Sequence, residues 1–393
     1  MIMSGWKRLL EQESEHQWLA FLSFTLIIIT GSVIIDWSND LSGVRNGSTL
    51  NVDGMVLDTA GDIVLFEDDS GVKINSESTG LNQNSITCLS AYGGITYACT
   101  GESGEVSYIE DGNLLCEDNW CSLSLGENVT VKDLSANVLD SIEGTSQSNP
   151  ALLMIIQDGT SNALAAKIHN SNKSIEISSV DGEMFLDVMI PTRDGWLVGG
   201  AWQAPPNWLG TNPVSPPMFE LLISVQWDGV TNPNIDLVYT GNEGRIHGIF
   251  STESGYVATG TSDTLYVNDG VITEYGLGSY SSVGDRNGDI WLFSGIGSST
   301  VAIISEGSVV TEKLPEPLSI LPEFVTCDDE GMISIHGVDS SDNPKAITID
   351  SNARQSFTSI RGIIDLCFIL VSMIVIGTMV WNISDAIRKG EVF

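Results

Sequence analysis

Positive charge is what this chain has least of. Lysine and arginine together number 16, against 51 aspartates and glutamates, for a formal net charge of −35. Residues 36–360 hold 45 of the acids and 11 of the bases, so that segment alone carries −34. Such a surface repels nucleic-acid phosphates and anionic lipid headgroups, which argues against binding DNA or RNA. Histidine is scarcer still. His16, His169, His247 and His336 are the whole set, and none lies in a His-x-His or His-Glu-x-x-His array. A Gly-x-Ser-x-Gly elbow and a phosphate-cradling glycine loop are missing too. No catalytic residue can therefore be named from local motifs. Between the two ends no long segment shows the 3.6-residue period of a helix.

Two uncharged apolar runs are present, Trp18 to Ile35 and Leu366 to Ile383. A run of about 18 such residues suffices to cross the hydrocarbon core as a helix. The first run follows a long leader of mixed charge, with Lys7, Arg8, Glu11, Glu13 and Glu15, and precedes "DWSND" rather than small residues. That reads as an uncleaved anchor and not as a signal peptide. The organisation expected is a cytoplasmic tail (1–17), a transmembrane helix (18–36), a linker (37–50), one large domain (51–352), a linker (353–361), a second transmembrane helix (362–384) and a cytoplasmic tail (385–393).

The large domain reads as all-β. Short runs rich in valine, isoleucine and tyrosine alternate with glycine, aspartate, asparagine and serine. Asp-Gly or Asn-Gly pairs recur at Asp53, Asp111, Asp158, Asp181, Asp194, Asp228, Asp269 and Asn287. Such pairs accept the positive φ angles of two-residue hairpins. Aligning the chain on a turn followed by an apolar strand gives units starting at Gly61, Gly94, Ala151, Gly195, Gly255, Gly288 and Gly331. Their mean spacing, about 45 residues, suits four-stranded propeller blades. The expected fold is a single β-propeller of seven four-stranded blades, flanked by one transmembrane helix at each end. In the best-formed unit the strands are 246–250, 255–259, 264–268 and 271–275, from axis to rim.

The stretch "DRNGDIWLFSGIG", Asp285 to Gly297, resembles blades of the two-component-regulator and streptogramin-lyase propellers. "GITYACTGESGEVSYI", from Gly94, is similar to YVTN- and quinoprotein-like repeats. The resemblance implies a propeller and carries no activity with it.

Four of the six cysteines, Cys88, Cys99, Cys116 and Cys121, cluster within one stretch. A turn at Gly93-Gly94 would pair Tyr92 with Ile95 and, counting outward, bring Cys88 opposite Cys99. Cys116 and Cys121 likewise flank a short loop. Disulfides Cys88–Cys99 and Cys116–Cys121 are expected. Zinc is the rival reading, without Cys-x-x-Cys spacing or a nearby histidine in its favour. Disulfides, the sequons at Asn46, Asn128 and Asn172, and basic tails (Lys7, Arg8, Arg388, Lys389) together place the domain outside the cytoplasm, with both termini inside.

Asp285-Arg-Asn287-Gly-Asp289 resembles the start of a calcium loop. Ile290 and Ile296 stand where an EF-hand needs glycine and glutamate, so a hairpin turn is the better reading. Residues 203–217 interrupt the repeat with Pro205, Pro206, Trp208, Pro213, Pro216 and Pro217, just after Trp202. This loop reads either as a stiff recognition surface or as a cover packed over the rim. The function expected is a membrane-anchored extracytoplasmic propeller that binds or scaffolds a protein or glycan partner. Its alternative is a propeller lyase or hydrolase on glycan or peptide, with a site in the central funnel.

Overall fold

The computed structural model describes residues 24–33, 44–50, 54–60, 63–68, 71–74, 77–78, 86–92, 95–100, 106–110, 113–115, 130–158, 161–169, 174–177, 183–203, 205 and 216–389. Two compact units divide the chain. One joins Met1–Arg45 to Asn352–Phe393, and the other is Asn46–Ser351.

The second unit is a β-propeller. Among the described residues it forms seven four-stranded sheets. Chain order begins with β1 (Arg45–Leu50), whose sheet is completed only at the far end of the sequence. The first sheet follows, as β2 (Met55–Ala60), β3 (Ile63–Asp68), β4 (Gly71–Ile74) and β5 (Glu77–Ser78). The second is β6 (Ile86–Tyr92), β7 (Ile95–Thr100), β8 (Val106–Glu110) and β9 (Asn113–Leu115). The third is β10 (Thr130–Asn137), β11 (Ala151–Asp158), β12 (Ser161–Ile168) and β13 (Ser174–Ile177). The fourth is β14 (Glu183–Pro191), β15 (Gly195–Gln203), β16 (Met218–Gln226) and β17 (Asn234–Glu243). The fifth is β18 (Ile246–Thr252), β19 (Gly255–Gly260), β20 (Thr264–Asn268) and β21 (Val271–Glu274). The sixth is β22 (Ser281–Gly284), β23 (Ile290–Phe293), β24 (Thr300–Ser305) and β25 (Ser308–Lys313). The last is β26 (Ile320–Cys327), β27 (Met332–Asp339) and β28 (Pro344–Asp350), with β1 beside β28.

The first strands of successive sheets touch in the order β2, β6, β10, β14, β18, β22, β26, and β26 returns to β2. These are the inner strands of the ring. Apolar cores lie between neighbouring sheets. Leu153 and Ile155 of β11 pack with Trp196 and Val198 of β15 and Leu221 and Ile223 of β16. Leu197 of β15 and Leu222 of β16 meet Ala258 and Leu265 of the fifth sheet. Each such leucine or isoleucine adds about 1.5–3 kcal/mol by leaving water.

Local chemistry explains the strand lengths. At the β20–β21 hairpin both central residues have positive φ, 46° at Asp269 and 78° at Gly270, as a two-residue turn matched to strand twist requires. The four strands expected at 246–275 are β18 to β21, with ends shifted by two residues at most.

Two expected boundaries are corrected. Residues 37–50, read as a linker, include the strand β1, and residues 353–361, also read as a linker, are helical. "RNGST" has weak intrinsic strand preference, and its backbone pairing along β28 overrides that. No proline or glycine interrupts 353–361, so nothing there stops the helix from starting at Ala353.

In the first unit, residues 24–33 form the helix α1, and Ala353–Lys389 form the 37-residue helix α2. The two meet where a Cβ added to Gly31 would fall within 2.4 Å of two ring carbons of Phe368. Ile363, Leu366, Ile369, Met373, Ile374 and Val380 of α2 are all exposed. On the described residues alone, no helix is long and apolar enough to cross a membrane. Side chains at 379, 382 and 383, within the uncharged run 366–383, are outside that description.

Candidate functional site

A cavity of about 570 Å³ opens at the hub of the ring, walled by residues of β2, β6, β10, β14, β18 and β26. The way those strands enter the hub is set by β-bulges. Pairing with the second strand slips at Leu57 of β2, Thr87 of β6, Lys132 of β10, Asp187 of β14, His247 of β18 and Glu323 of β26. A bulge leaves one residue unpaired and re-aims the side chains around it.

Here they are aimed sideways, at the next sheet. Asp58 accepts from Leu89 N–H of β6 at 2.7 Å and from its neighbour Thr59 N–H at 2.7 Å. Thr87 Oγ1 donates to Val131 O of β10. Asp133 accepts from Leu134 N–H at 2.7 Å and from Met189 N–H of β14. Asp187 pairs with Arg245, Nε to Oδ2 at 3.0 Å, in the connection to the fifth sheet. His247 Nε2 lies 3.0 Å from Ser279 O, just before β22. Five consecutive sheets are thus tied to their successors by polar side chains around one channel.

Burial dominates the electrostatics. It pushes Asp58 up to about 6 against the opposing N–H bonds of Leu89 and Thr59. Asp133 is raised well above the usual range by burial first and by repulsion from Asp58 and Asp187. Asp187 is raised to about 6 by burial, with Arg245 pulling the other way. The Asp187 side chain is 30% exposed and its carboxyl is still held up, burial acting more strongly than the ion pair. Burial also lowers His247 to about 4, which keeps it neutral. The channel therefore offers carboxyl groups poised to exchange protons near neutrality. Among the described residues no three His, Cys, Asp or Glu side chains are placed to hold a metal ion.

The pH dependence follows. A carboxyl whose folded pKa is raised stabilises most below its unfolded value, and that contribution is lost as pH rises through the folded value. For Asp58 the window runs from 3.8 to about 6. Thermal unfolding of the purified protein should show a midpoint falling across that window. Asp58→Asn should lower the midpoint overall, through the lost acceptor, and flatten its pH slope. An unchanged slope would contradict the burial of this carboxyl.

The residues singled out by sequence are distributed otherwise. Cys88 and Cys99 are bonded across β6 and β7 with Cα atoms 4.9 Å apart, in the register counted from Tyr92 and Ile95. Cys116, Cys121, Asn128, Asn172, Pro206, Trp208 and Pro213 lie outside the described residues, and Asn46 falls in β1. Trp202 packs on the core shared by the third and fourth sheets, its ring 6.4 Å from that of Phe219. Pro205, Pro216 and Pro217 are partly buried, and Pro216 O accepts from Gln203 Nε2 at 3.1 Å. The described ends of this loop are thus packed against protein. Asp285 caps its own turn. Its Oδ1 accepts from Asn287 N–H (2.8 Å) and Asp289 N–H (3.0 Å), and its Oδ2 from Trp291 Nε1–H (3.0 Å).

The channel acids escaped the sequence reading. Its units began at the turn after each inner strand, so "MVLDTA", "TVKDLSAN" and "EMFLDVMIP" were never aligned with each other. Placing them in one column puts an aspartate at or beside the bulge in all three.

No family model matches the chain, and no curated protein matches it. Solved structures are similar in fold. The extracellular domain of a one-component system from B. thetaiotaomicron aligns at TM-score 0.47 and 10% identity, over 78% of this chain. This chain spans 40% of the length of that relative. BBS1N in complex with ARL6DN aligns at TM-score 0.46 and 9% identity, over 79% of this chain and 97% of that one. YCF48 bound to D1 peptide aligns at TM-score 0.44 and 10% identity, again over 79% and 97%.

Proposed function

We propose that this chain is a membrane-anchored binding module. Its seven sheets serve as the seven blades of one ring, held outside the cytoplasm, which takes a protein or glycan partner at the hub. The observation that carries the binding role is the channel, about 570 Å³ in volume and walled by residues of six inner strands, five of which bring polar side chains to it. Anchoring rests on the full sequence of α2. At about 1.5 Å per residue the helix is long enough to span the hydrocarbon core, and its uncharged run exposes apolar side chains that water would not favour.

Two measurements test this reading. External protease added to intact cells should cut the ring while sparing the tails, and non-reducing mass spectrometry of the fragments should recover Cys88 joined to Cys99. Protection of the ring would overturn the placement. For the hub, Ala91→Trp is the informative change. Ala91 lines the cavity, is exposed, and takes no part in the side-chain ties. Cross-linked partners of the wild type should be lost from this variant, and an unaltered set would exclude the channel as the binding site.

A second reading, an extracytoplasmic lyase or hydrolase, is favoured by one observation. Asp58, Asp133, Asp187 and His247 converge on the same cavity, and raised carboxyls are apt proton donors. Turnover of a glycan or peptide panel, abolished by Ala91→Trp, would select it.

A further inference from the structure

Glu220 is a buried acid away from the channel. It lies on β16 at a position where pairing with β17 loses register, and it is 0% exposed. Its Oε1 crosses to the β19–β20 turn of the fifth sheet, accepting from Ser262 N–H at 2.8 Å and Asp263 N–H at 3.1 Å. Gly260 makes the space, since a Cβ there would sit 2.3 Å from Oε1. Its Oε2 is buried and has no hydrogen-bond partner.

Among the described residues, the groups around it offer no compensating positive charge. Asp263, on the turn, is buried, and its Oδ1 already accepts from Thr264, Gly276 and Leu277 N–H groups. Glu274 on β21 repels it, and Tyr239 on β17 is hydrogen-bonded to Glu274, its hydroxyl raised to about 12 by burial and by these acids. Arg245, in the β17–β18 connection, is paired with Asp187. Glu243, at the end of β17, contributes its backbone carbonyl to Ser262 Oγ. An anion buried here would leave one oxygen without solvent or donor, beside two further acids, which is strongly disfavoured.

We propose that Glu220 is a proton-controlled latch between the fourth and fifth sheets, engaged while its carboxyl is neutral and released into water when the proton is lost to solvent. Burial raises the carboxyl, the N–H groups of Ser262 and Asp263 oppose the rise, and Asp263 and Glu274 add to it. In its released state the group has an ordinary glutamate pKa. The latch is therefore fully closed below that value and opens progressively as pH rises toward the engaged one. The inference stands independently of the membrane placement and of the channel.

Hydrogen exchange on the full chain in detergent tests it, read on a peptide spanning 258–265 and corrected for intrinsic exchange. Protection of this turn in the wild type should fall about tenfold per pH unit across the window, because opening releases one proton. Glu220→Gln keeps an oxygen for the two N–H groups and cannot ionise, so the turn should stay protected with no slope. Glu220→Ala should expose the turn at every pH. Asp58→Asn should leave the slope at this turn unchanged, which separates the latch from the channel acids. Protection that is flat with pH in the wild type overturns the proposal, and that measurement decides even if neither Glu220 variant folds. A wild-type slope that persists in Glu220→Gln overturns it as well.

Discussion

Replacing Trp291 with alanine is expected to lower the unfolding free energy by about 4 kcal/mol, the largest loss anticipated for a single side chain here. The indole is 0% exposed on β23, in the sixth sheet. Its ring stacks on Phe293, with centroids 6.5 Å apart and planes 18° from parallel. Two effects add. Truncation removes a large apolar surface and leaves a cavity that the close-packed strands cannot collapse to fill. It also strips Asp285 Oδ2 of its Nε1–H donor, loosening the turn that Asp285 holds from 285 to 289. Urea unfolding followed by circular dichroism gives the number directly. Trp291→Phe separates the two contributions, since it refills most of the volume and restores no donor. A loss below about 1 kcal/mol in the alanine variant would mean that the indole is not in the core.

Removing the disulfide by a Cys88→Ala, Cys99→Ala double substitution is expected to cost about 3 kcal/mol. In the chain-entropy picture the loss grows with the logarithm of the enclosed loop, and these cysteines are 11 residues apart. Both sulfurs are buried within the core that joins the second and third sheets, beside Tyr97 and Val131. The expected signature is a double variant whose unfolding midpoint is lower than that of the oxidised wild type and insensitive to reductant. Reduction should bring the wild type down toward it. Equal midpoints for oxidised wild type and double variant would show that the bond is not formed.

Local chemistry made some of this structure legible and left the rest hidden. The hairpin at Asp269-Gly270 and the Cys88–Cys99 register could be counted because turn geometry fixes which residues face each other. The Asp285 turn was recognisable as a blade signature because one side chain holds the whole turn through three N–H donors. β1 was invisible because its strand character comes from an edge supplied about 300 residues later, and nothing in "RNGSTL" announces it. The channel acids were hidden for a related reason. An aspartate in an apolar strand contradicts burial until the bulge and the neighbouring sheet's N–H groups are in view, and both are tertiary facts. The residues that did stand out, Trp202 and the prolines after it, caught the eye by composition. Where described, Trp202 packs on the core and Pro205, Pro216 and Pro217 are partly buried.

The pairing of β1 with β28 has a consequence for how the protein is made. A ribosome delivers residues 45–50 about 300 residues before residues 344–350, so the seal of the ring waits for nearly the whole propeller to emerge. Until then the growing chain carries an unmatched strand at its start and a bare edge on its newest sheet, each a template for another polypeptide. A stop codon anywhere before Pro344 would make that vulnerable interval permanent, leaving an open arc with two adhesive ends.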